Sequence, residues 1–256
     1  MATTSIVVTE TPLLTVLLRR ADDALVLAHR LSEWTGHAPS LEEELALANL
    51  ALDLIGQARG LYQYAGELSG FDEDQLAYLR DAGGFRNCLL VEQPNGDFAR
   101  TIVRHVLFTA FSDAFWRAAT ASRDARLAAI AGKAEKETAY QLRYAGAWLV
   151  RLGDGTDESH RRAQEAVDWL WPYVGELFEV DDAEQAMIAA GVVPDAAALR
   201  DGWRRTVEGL LARATLRLPE DGAMQSGGRR GVHSEHLGHL LAEMQVLPRT
   251  YPGAQW

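Results

Sequence analysis

The sequence is poor in cysteine, in basic residues and in long apolar runs. Its single cysteine, Cys88, excludes an internal disulfide and a metal site made of several cysteines, and it fits a reducing cytoplasm. With 25 Lys and Arg against 36 Asp and Glu, the net charge is −11. This balance argues against nucleic acid or an anionic membrane surface as a partner, because phosphate binding needs clustered Lys and Arg.

Targeting and membrane signals are missing as well. The first residues, MATTSIVVTETPLL, have no basic segment ahead of their apolar ones, unlike a secretory signal. No apolar run approaches the roughly 18 residues that a membrane span requires. We therefore predict a cytoplasmic protein that does not enter a membrane.

Motifs of several enzyme classes are absent too. There is no Gly-x-Ser-x-Gly elbow and no phosphate-loop spacing, and no pattern indicates a Ser-His-Asp or Cys-His nucleophile. Residues 227–231, GGRRG, could hold an anion through two arginines and backbone amides. Because this stretch follows no predicted strand, the favoured interpretation is a flexible loop.

Long helical patterns dominate what the sequence does contain. Residues 122–152 are free of proline and rich in Ala, Leu, Glu, Lys and Arg, about eight turns of helix. Steps of four and three, the spacing of a core-facing stripe, connect Leu127, Ala131, Ala134, Thr138, Gln141, Ala145, Leu149 and Leu152. This row is apolar at both ends and polar at its centre, at Thr138 and Gln141.

Three further long helices are predicted at residues 11–34, 40–68 and 97–120. The row predicted to face the core on the second is Leu41, Leu45, Ala48, Leu52 and Ile55. The row on the third, again polar at its centre, is Phe98, Ile102, His105, Thr109, Ser112 and Trp116. Shorter helices are predicted at residues 73–79, 158–178 with a kink at Pro172, 184–190, 195–216 and 234–247.

No stretch has the alternation of a convincing strand, so we predict an all-α fold. The economical arrangement is a long four-helix bundle with additional C-terminal helices. We take residues 1–256 as a single domain, with a loose N-terminal arm at 1–10, a core bundle at 11–152, and C-terminal helices and tail at 158–256. A separate domain after residue 157 stays open, although no flexible linker marks it.

The centre of such a bundle is where carboxylate-bridged di-iron sites lie, with four carboxylates and two histidines supplied partly as Glu-x-x-His pairs. No histidine here follows a glutamate by three residues, and Thr138 and Gln141 are poor ligands in the slot that such a pair would fill. We therefore predict no catalytic residue, no bound cofactor and no metal in this chain. Asp53, His105, Thr138 and Gln141 are interpreted as degenerate mid-bundle positions, and Asp53, His105 and Gln141 as a hydrogen-bonded plug.

Other polar and aromatic residues have simpler explanations. Six titratable residues are interpreted as hydrogen-bonded or ion-paired members of the bundle: Asp22, Asp23, His29, Asp53, His105 and Asp113. His236, His239 and Glu243 have a spacing that could bind a metal, but packing of that flank against another helix or subunit is favoured. The tail carries Tyr251 and Trp256, and we expect it to dock on a partner or on its own bundle.

Five segments follow one another in an order that identifies a family. They are RLSEWTGHAP at 30–39, LANLALDLIGQAR at 47–59, LVEQPNGDFA at 90–99, RLGDGTD at 151–157, and an ending that runs from HSEHLG at 233–238 to PGAQW at 252–256. Together they resemble the C subunits of the bacterial phenylacetyl-CoA 1,2-epoxidases. The resemblance covers nearly the whole chain.

This resemblance implies a ferritin-like fold and a role in aerobic phenylacetate breakdown. In this family a homologous A subunit carries the di-iron centre and binds the CoA ester. A small bridging subunit and a reductase complete an oxidoreductase that epoxidises the aromatic ring with dioxygen and electrons from NADPH. The C subunit is implied to be structural, without its iron ligands. Relatives can carry His at the position of Gln141, so this chain departs further from metal binding.

Three functions are compatible with these observations. The first is a structural subunit that pairs with the A subunit as a heterodimer or within a higher assembly. The second is a ferritin-like di-iron oxidase active by itself, and the third is a free-standing helical scaffold. Bound iron separates the second from the others, and co-purification with a larger di-iron subunit separates the first from the third. Homodimer formation by the chain alone stays open.

Overall fold

The computed structural model describes residues 5–254, which are built from α-helices. Ten α-helices occur in this part: α1 (Pro12–Ser32), α2 (Leu41–Ser69), α3 (Glu73–Tyr78), α4 (Leu89–Glu92), α5 (Phe98–Ala119), α6 (Ala125–Gly153), α7 (Asp157–Leu170), α8 (Asp182–Ala189), α9 (Arg200–Arg213) and α10 (Glu235–Thr250). The predicted all-α, ferritin-like fold class is confirmed. None of the described helices is long and apolar enough to cross a membrane.

The described chain divides into two compact units. The first contains the residues up to Pro94 and from Gly227 onward, so it holds α1 to α4 and α10. The second, Asn95–Ser226, holds α5 to α9. The organisation of residues 1–256 as a single domain stays a prediction.

Helix α1 forms the centre of the first unit. Thr11 caps it by accepting a hydrogen bond from the amide of Leu14, and Pro12 lies in the first turn, where no amide hydrogen is needed. Almost all of its residues are buried, on every side of the helix. Helix α2, capped by Ser40, packs along it. A helix buried all round is typical of a protein core.

The row predicted to face the core on α2 is wrong. Leu41, Leu45 and Leu52 are 68%, 57% and 64% exposed, and Ile55 is 38% exposed. The residues of α2 that are buried include a different row: Leu47, Leu50, Ala51, Leu54, Ala58 and Leu61. Both rows have helical spacing, so periodicity alone does not tell which of them faces the core.

In the second unit, α5 packs against α6, and α7 and α9 pack on the pair. The rows predicted on α5 and α6 are confirmed, since all their members except the end residues Phe98 and Leu152 are buried. Helix α6 begins at Ala125 and not at residue 122. Asp124 caps it by accepting hydrogen bonds from two amides of the first turn, while Ser122 donates to the carbonyl of Val192 at 2.7 Å.

Two predicted helices of the second unit are shorter than expected. The helix predicted at 158–178 ends at Leu170 and is followed by the 3-10 turns Trp171–Tyr173 and Gly175–Phe178. Pro172 explains the break, because its ring has no amide hydrogen and clashes with the preceding turn. The helix predicted at 195–216 begins at Arg200, because the Asp195 carboxylate holds the preceding residues in a turn.

Helix α10 of the first unit is longer than predicted and continues through Pro248 to Thr250. Contacts of Arg249 hold this last turn. Its guanidinium donates to the carbonyls of Tyr78 at 3.1 Å and Arg80 at 2.9 Å. Tertiary packing therefore outweighs the local preference of proline for ending a helix.

The first unit also contains order where none was predicted. In the described part of the arm predicted as loose, Ile6 is buried, its amide donates to the Leu79 carbonyl at 2.9 Å, and it forms a parallel β-bridge with Arg80. The stretch predicted as turns at 81–97 contains the short helix α4. These contacts join segments far apart in the sequence, which local patterns do not reveal.

Candidate functional site

The polar centres of α5 and α6 form the candidate site of the second unit. His105 and Thr109 on α5, and Thr138 and Gln141 on α6, are completely buried. Thr138 and Gln141 are three residues apart and share one face of their helix. Asp53, the remaining degenerate position, is half-buried on α2 of the first unit. Two packed helices therefore carry three of the four predicted positions.

Both threonine hydroxyls are satisfied within their own helices. The hydroxyl of Thr109 donates to the carbonyl of His105, and that of Thr138 donates to the carbonyl of Ala134 at 2.9 Å. A bond to the preceding turn is a common way of burying a helical threonine. The two hydroxyls are therefore engaged by backbone atoms.

The imidazole of His105 and the side-chain amide of Gln141 are not satisfied in this way. Neither ring nitrogen of His105 and neither polar atom of the Gln141 amide has a hydrogen-bond partner within residues 5–254. These two side chains therefore form no hydrogen bond with each other, and the plug that also includes Asp53 stays a prediction. Burial, and after it the charge of Arg104, lower the pKa of His105 to about 3, so the ring is neutral near pH 7.

These residues do not fit a di-iron centre. Such a centre needs four carboxylates and two histidines, whereas the α5–α6 centre offers one imidazole, one amide and two engaged hydroxyls. Asp113, further along α5, is ion-paired with Arg117 at 2.8 Å. Within residues 5–254 no group of three or more His, Cys, Asp or Glu is arranged to hold a metal ion. That the chain binds no metal stays a prediction.

The buried neutral imidazole predicts a loss of stability in mild acid. An unfolded histidine has a pKa near 6.5, so between pH 6.5 and 3 the unfolded state binds a proton that the folded state excludes. Through His105, we expect the free energy of unfolding to fall by about 2 kcal/mol between pH 7 and pH 5. The measurement is urea unfolding of the wild type and of His105→Leu at both pH values.

Between pH 7 and pH 5, the free energy of unfolding of His105→Leu should fall by about 2 kcal/mol less than that of the wild type, because leucine has no group to protonate. The variant should also be at least as stable as the wild type at pH 7, since it removes two buried nitrogens without partners. His239→Leu is the control, because His239 is exposed. An equal pH dependence of wild type and His105→Leu would contradict a buried neutral His105.

The first unit contains a buried network of ion pairs. The Asp22 carboxylate accepts hydrogen bonds from both terminal nitrogens of Arg80, from the Tyr62 hydroxyl and from the Arg86 amide at 2.7 Å. Burial raises the pKa of Tyr62, and Asp22 raises it further. Burial alone would lower the pKa of Arg80, but the Asp22 carboxylate outweighs it and raises that pKa overall. The Arg80 guanidinium therefore stays charged.

Asp23 forms the second pair of the network. It accepts hydrogen bonds from Arg229 at 2.8 and 3.0 Å and from the Cys88 amide at 2.8 Å. The flexible loop predicted at 227–231 is instead a packed 3-10 turn, Gly228–Arg230, with Arg229 only 5% exposed. Arg229 is engaged by this carboxylate, so it is not available for an external anion. The prediction that Asp22 and Asp23 are ion-paired is confirmed.

Glu92 and His233 form a third buried contact of the network. The Glu92 carboxylate lies 2.9 Å from Nδ1 of His233 and accepts from the Ser234 amide at 2.7 Å and the Asn87 side chain at 2.9 Å. The other ring nitrogen of His233 lies 3.0 Å from the carbonyl of Phe85. These contacts fix the segment before α10 against the segment around α4.

Two glycines permit this close approach of backbones. A Cβ atom at Gly228 would lie 2.2 Å from the carbonyl oxygen of Asn87. One at Gly231, where φ is +77°, would lie 2.3 Å from that of Gly83. Neither position has space for a larger residue.

The last helix and the tail contain the remaining predicted residues. His236 is half-buried on α10, whereas His239 and Glu243 are exposed. Tyr251 is exposed as well, beside a groove of about 770 Å³ along α3, α10 and the tail. Trp256 lies outside the described residues.

Comparison with known proteins decides the family. The family described as phenylacetic acid catabolic protein matches residues 1–256. The chain belongs to the phenylacetic acid catabolic protein family. This chain is 50% identical over 240 residues to the C subunit of the 1,2-phenylacetyl-CoA epoxidase of Escherichia coli (strain K12). The aligned residues cover 93% of this chain and 97% of that relative. The predicted resemblance is confirmed.

Sequence reasoning predicted paired carboxylates at Asp22 and Asp23, but it missed Glu92 and the arginine and histidine partners of the buried network. The signal for it is a carboxylate inside an apolar pattern: Asp22 and Asp23 interrupt the apolar stretch of α1, and Glu92 follows Leu89-Leu90-Val91. The partners of these carboxylates cannot be identified from a local sequence pattern, because Asp23 and Arg229, for example, lie 206 positions apart.

Proposed function

We propose that the chain is a non-catalytic structural subunit of a phenylacetyl-CoA 1,2-epoxidase in aerobic phenylacetate breakdown. The observation that carries this proposal is the 50% identity, over nearly the full length of both chains, to the C subunit of the Escherichia coli epoxidase. The family match over residues 1–256 supports the same pathway.

The polar centre of α5 and α6 supports the non-catalytic role. Oxygen activation at a di-iron centre needs carboxylate and histidine ligands with open coordination positions. His105, Thr138 and Gln141 supply no carboxylate. In the proposed complex the reaction therefore takes place in the homologous A subunit. That subunit holds the di-iron centre and epoxidises the ring with dioxygen and electrons from NADPH.

The contribution of this chain is then a rigid helical surface for its partners. The buried pairs Asp22–Arg80 and Asp23–Arg229 connect α1 to segments far away in the sequence, so the first unit resists local opening. We propose that the chain binds the A subunit as a heterodimer or within a higher assembly. The small bridging subunit and the reductase complete the enzyme, and this chain holds no cofactor of its own.

Reconstitution of the epoxidase tests this proposal. The A subunit, the bridging subunit and the reductase are assayed for epoxidation of phenylacetyl-CoA with and without this chain. We expect activity to require the chain, because the A subunit depends on it for its shape. We also expect His105→Leu/Gln141→Leu to support the same activity as the wild type, because these side chains touch no reacting atom.

Two outcomes would contradict the proposal. An A subunit that is stable, soluble and fully active without this chain would rule out the structural role. A complex that assembles normally with His105→Leu/Gln141→Leu but loses activity would give the α5–α6 centre a part in the chemistry. Size-exclusion chromatography of the same samples separates loss of assembly from loss of catalysis.

A further inference from the structure

Helix α2 carries an apolar row that the rest of the described chain leaves uncovered. The α2 row consists of Leu41, Leu45, Ala48, Leu52 and Ile55, and its four large residues are between 38% and 68% exposed. The steps of four and three keep these side chains on one side of the helix for about 21 Å. Single exposed leucines are ordinary on protein surfaces, whereas a continuous apolar row marks an interaction surface.

The α2 row is additional to the apolar row by which α2 is buried. Leu47, Leu50 and Leu54 are each 1% exposed, and at 100° per residue they lie well away from the α2 row on the helix circumference. A surface helix of a protein that functions alone has one apolar side and one polar side. Two apolar sides indicate a helix that is covered on both of them.

The charges beside the α2 row indicate which partner covers it. From residue 41 to residue 55 every charged side chain is acidic: Glu42, Glu43, Glu44 and Asp53. At 100° per residue, Glu42 and Asp53 lie on one flank of the row and Glu44 lies on the other. The next basic residue of the helix, Arg59, is ion-paired with Glu73 at 2.7 Å.

A second copy of this chain is a poor partner for such a surface. Packed antiparallel about a two-fold axis near Ala48, Glu42 of one copy would lie opposite Asp53 of the other. Packed parallel, Glu44 of one copy would lie beside the flank that carries Glu42. Both arrangements oppose like charges, which disfavours association.

We propose that the α2 row docks a helix of the di-iron catalytic subunit, and that this helix has an apolar row flanked by Lys and Arg. The inference rests on the proposed function, which supplies a helical partner, and it adds the surface and the chemistry of contact. A row about 21 Å long on a helix about 10 Å wide offers roughly 210 Å². A stable interface needs about 800 Å² from each partner, so the α2 row forms its centre and flanking surface completes it.

The variant Leu45→Glu/Leu52→Glu tests the α2 row directly. Both leucines are mostly exposed, so the melting temperature of the chain alone should stay within a few degrees of the wild type. Sedimentation or titration against the purified catalytic subunit should show affinity lower by about 100-fold or more, because two charges would be buried at the centre of the contact. Val7→Glu/Val246→Glu, which adds the same charge at two other exposed positions, is the control and should bind nearly as the wild type does.

Each outcome separates this inference from the proposed function. If the wild-type chain does not bind the catalytic subunit, the proposed function is overturned and the inference falls with it. If the wild type binds and Leu45→Glu/Leu52→Glu binds equally well, only the inference is overturned. It is also overturned if the control variant loses as much affinity, or if the double variant abolishes self-association and leaves binding to the catalytic subunit intact.

Charge reversal on one flank gives a second readout. Glu42→Lys/Asp53→Lys should slow association with the catalytic subunit by about tenfold at low salt, because the attraction to basic flanks becomes a repulsion. The difference from the wild type should shrink as the salt concentration rises. An association rate that is unchanged or faster at low salt would contradict the basic chemistry proposed for the partner helix.

Discussion

Arg229→Met is expected to lower the free energy of unfolding of the chain by about 3–5 kcal/mol. Arg229 is 5% exposed and donates to both carboxylate oxygens of Asp23. Methionine occupies similar space but removes two short hydrogen bonds, so the buried Asp23 carboxylate is left with the longer ion pair to Arg20, at 3.6 Å. The carbonyls of Arg19 and Arg86 lose a donor at the same time. Urea unfolding followed by circular dichroism measures the effect.

A second variant separates the effect of the buried charge on stability from the effect of lost packing. Arg229→Met/Asp23→Asn also removes the charge that has lost its closest partner, and the amide oxygen introduced at position 23 can still accept from the Cys88 amide. We expect it to recover at least about 1.5 kcal/mol of the loss. Arg161→Met is the control, because Arg161 pairs with Glu158 and Glu165 in solvent, and its stability should change little. If the double variant recovered none of the lost free energy of unfolding, the buried charge of Asp23 would not be the cause of the loss.

Trp203→Ala is expected to cost about 3–5 kcal/mol of stability in the second unit. Trp203 of α9 is 2% exposed, its indole stacks on Trp171 at 5.7 Å, and it meets Phe178 edge to face at 5.1 Å. Its Nε1 also donates to the carbonyl of Leu107 at 2.9 Å. Alanine would leave a large cavity among these rings. Thermal and urea unfolding measure the loss.

Trp203→Phe distinguishes the stability contributed by aromatic packing from that contributed by the hydrogen bond of Nε1. Phenylalanine keeps most of the aromatic packing and loses the donor, so we expect a loss of about 1–2 kcal/mol. Trp169→Ala is a matched control. Because Trp169 is only half-buried, its replacement should lower the free energy of unfolding by less than Trp203→Ala does. If Trp203→Ala were no more costly than Trp169→Ala, the aromatic cluster would not hold α9 in place.

The long helices and their polar centres could be predicted from the sequence because both depend on local spacing. The rows of α5 and α6 are buried as expected, and His105, Thr138 and Gln141 are at their centres. The starts of α1 and α2 directly after Thr11 and Ser40 follow from capping residues and first-turn preferences. Five segments in a fixed order indicate the family.

The predictions that were wrong depend on contacts between distant segments, which no local sequence pattern contains. The α2 row has the spacing of a core stripe, but its environment is set by which face meets α1. Pro248 stays inside α10 because Arg249 is bound to carbonyls near residue 80. The glycines around Arg229 favour a flexible loop, but its partner Asp23 lies in the first helix and holds it. In each case tertiary packing overrode a correct local preference.

Elemental analysis of the purified chain, by itself and after co-expression with the catalytic subunit, measures whether this chain binds iron. We expect no iron on the chain alone and about two irons per heterodimer, because the α5–α6 centre lacks the carboxylates that a di-iron site requires. Two tightly bound irons on the isolated chain would contradict this expectation, and would make the chain an oxidase with a ligand set of its own.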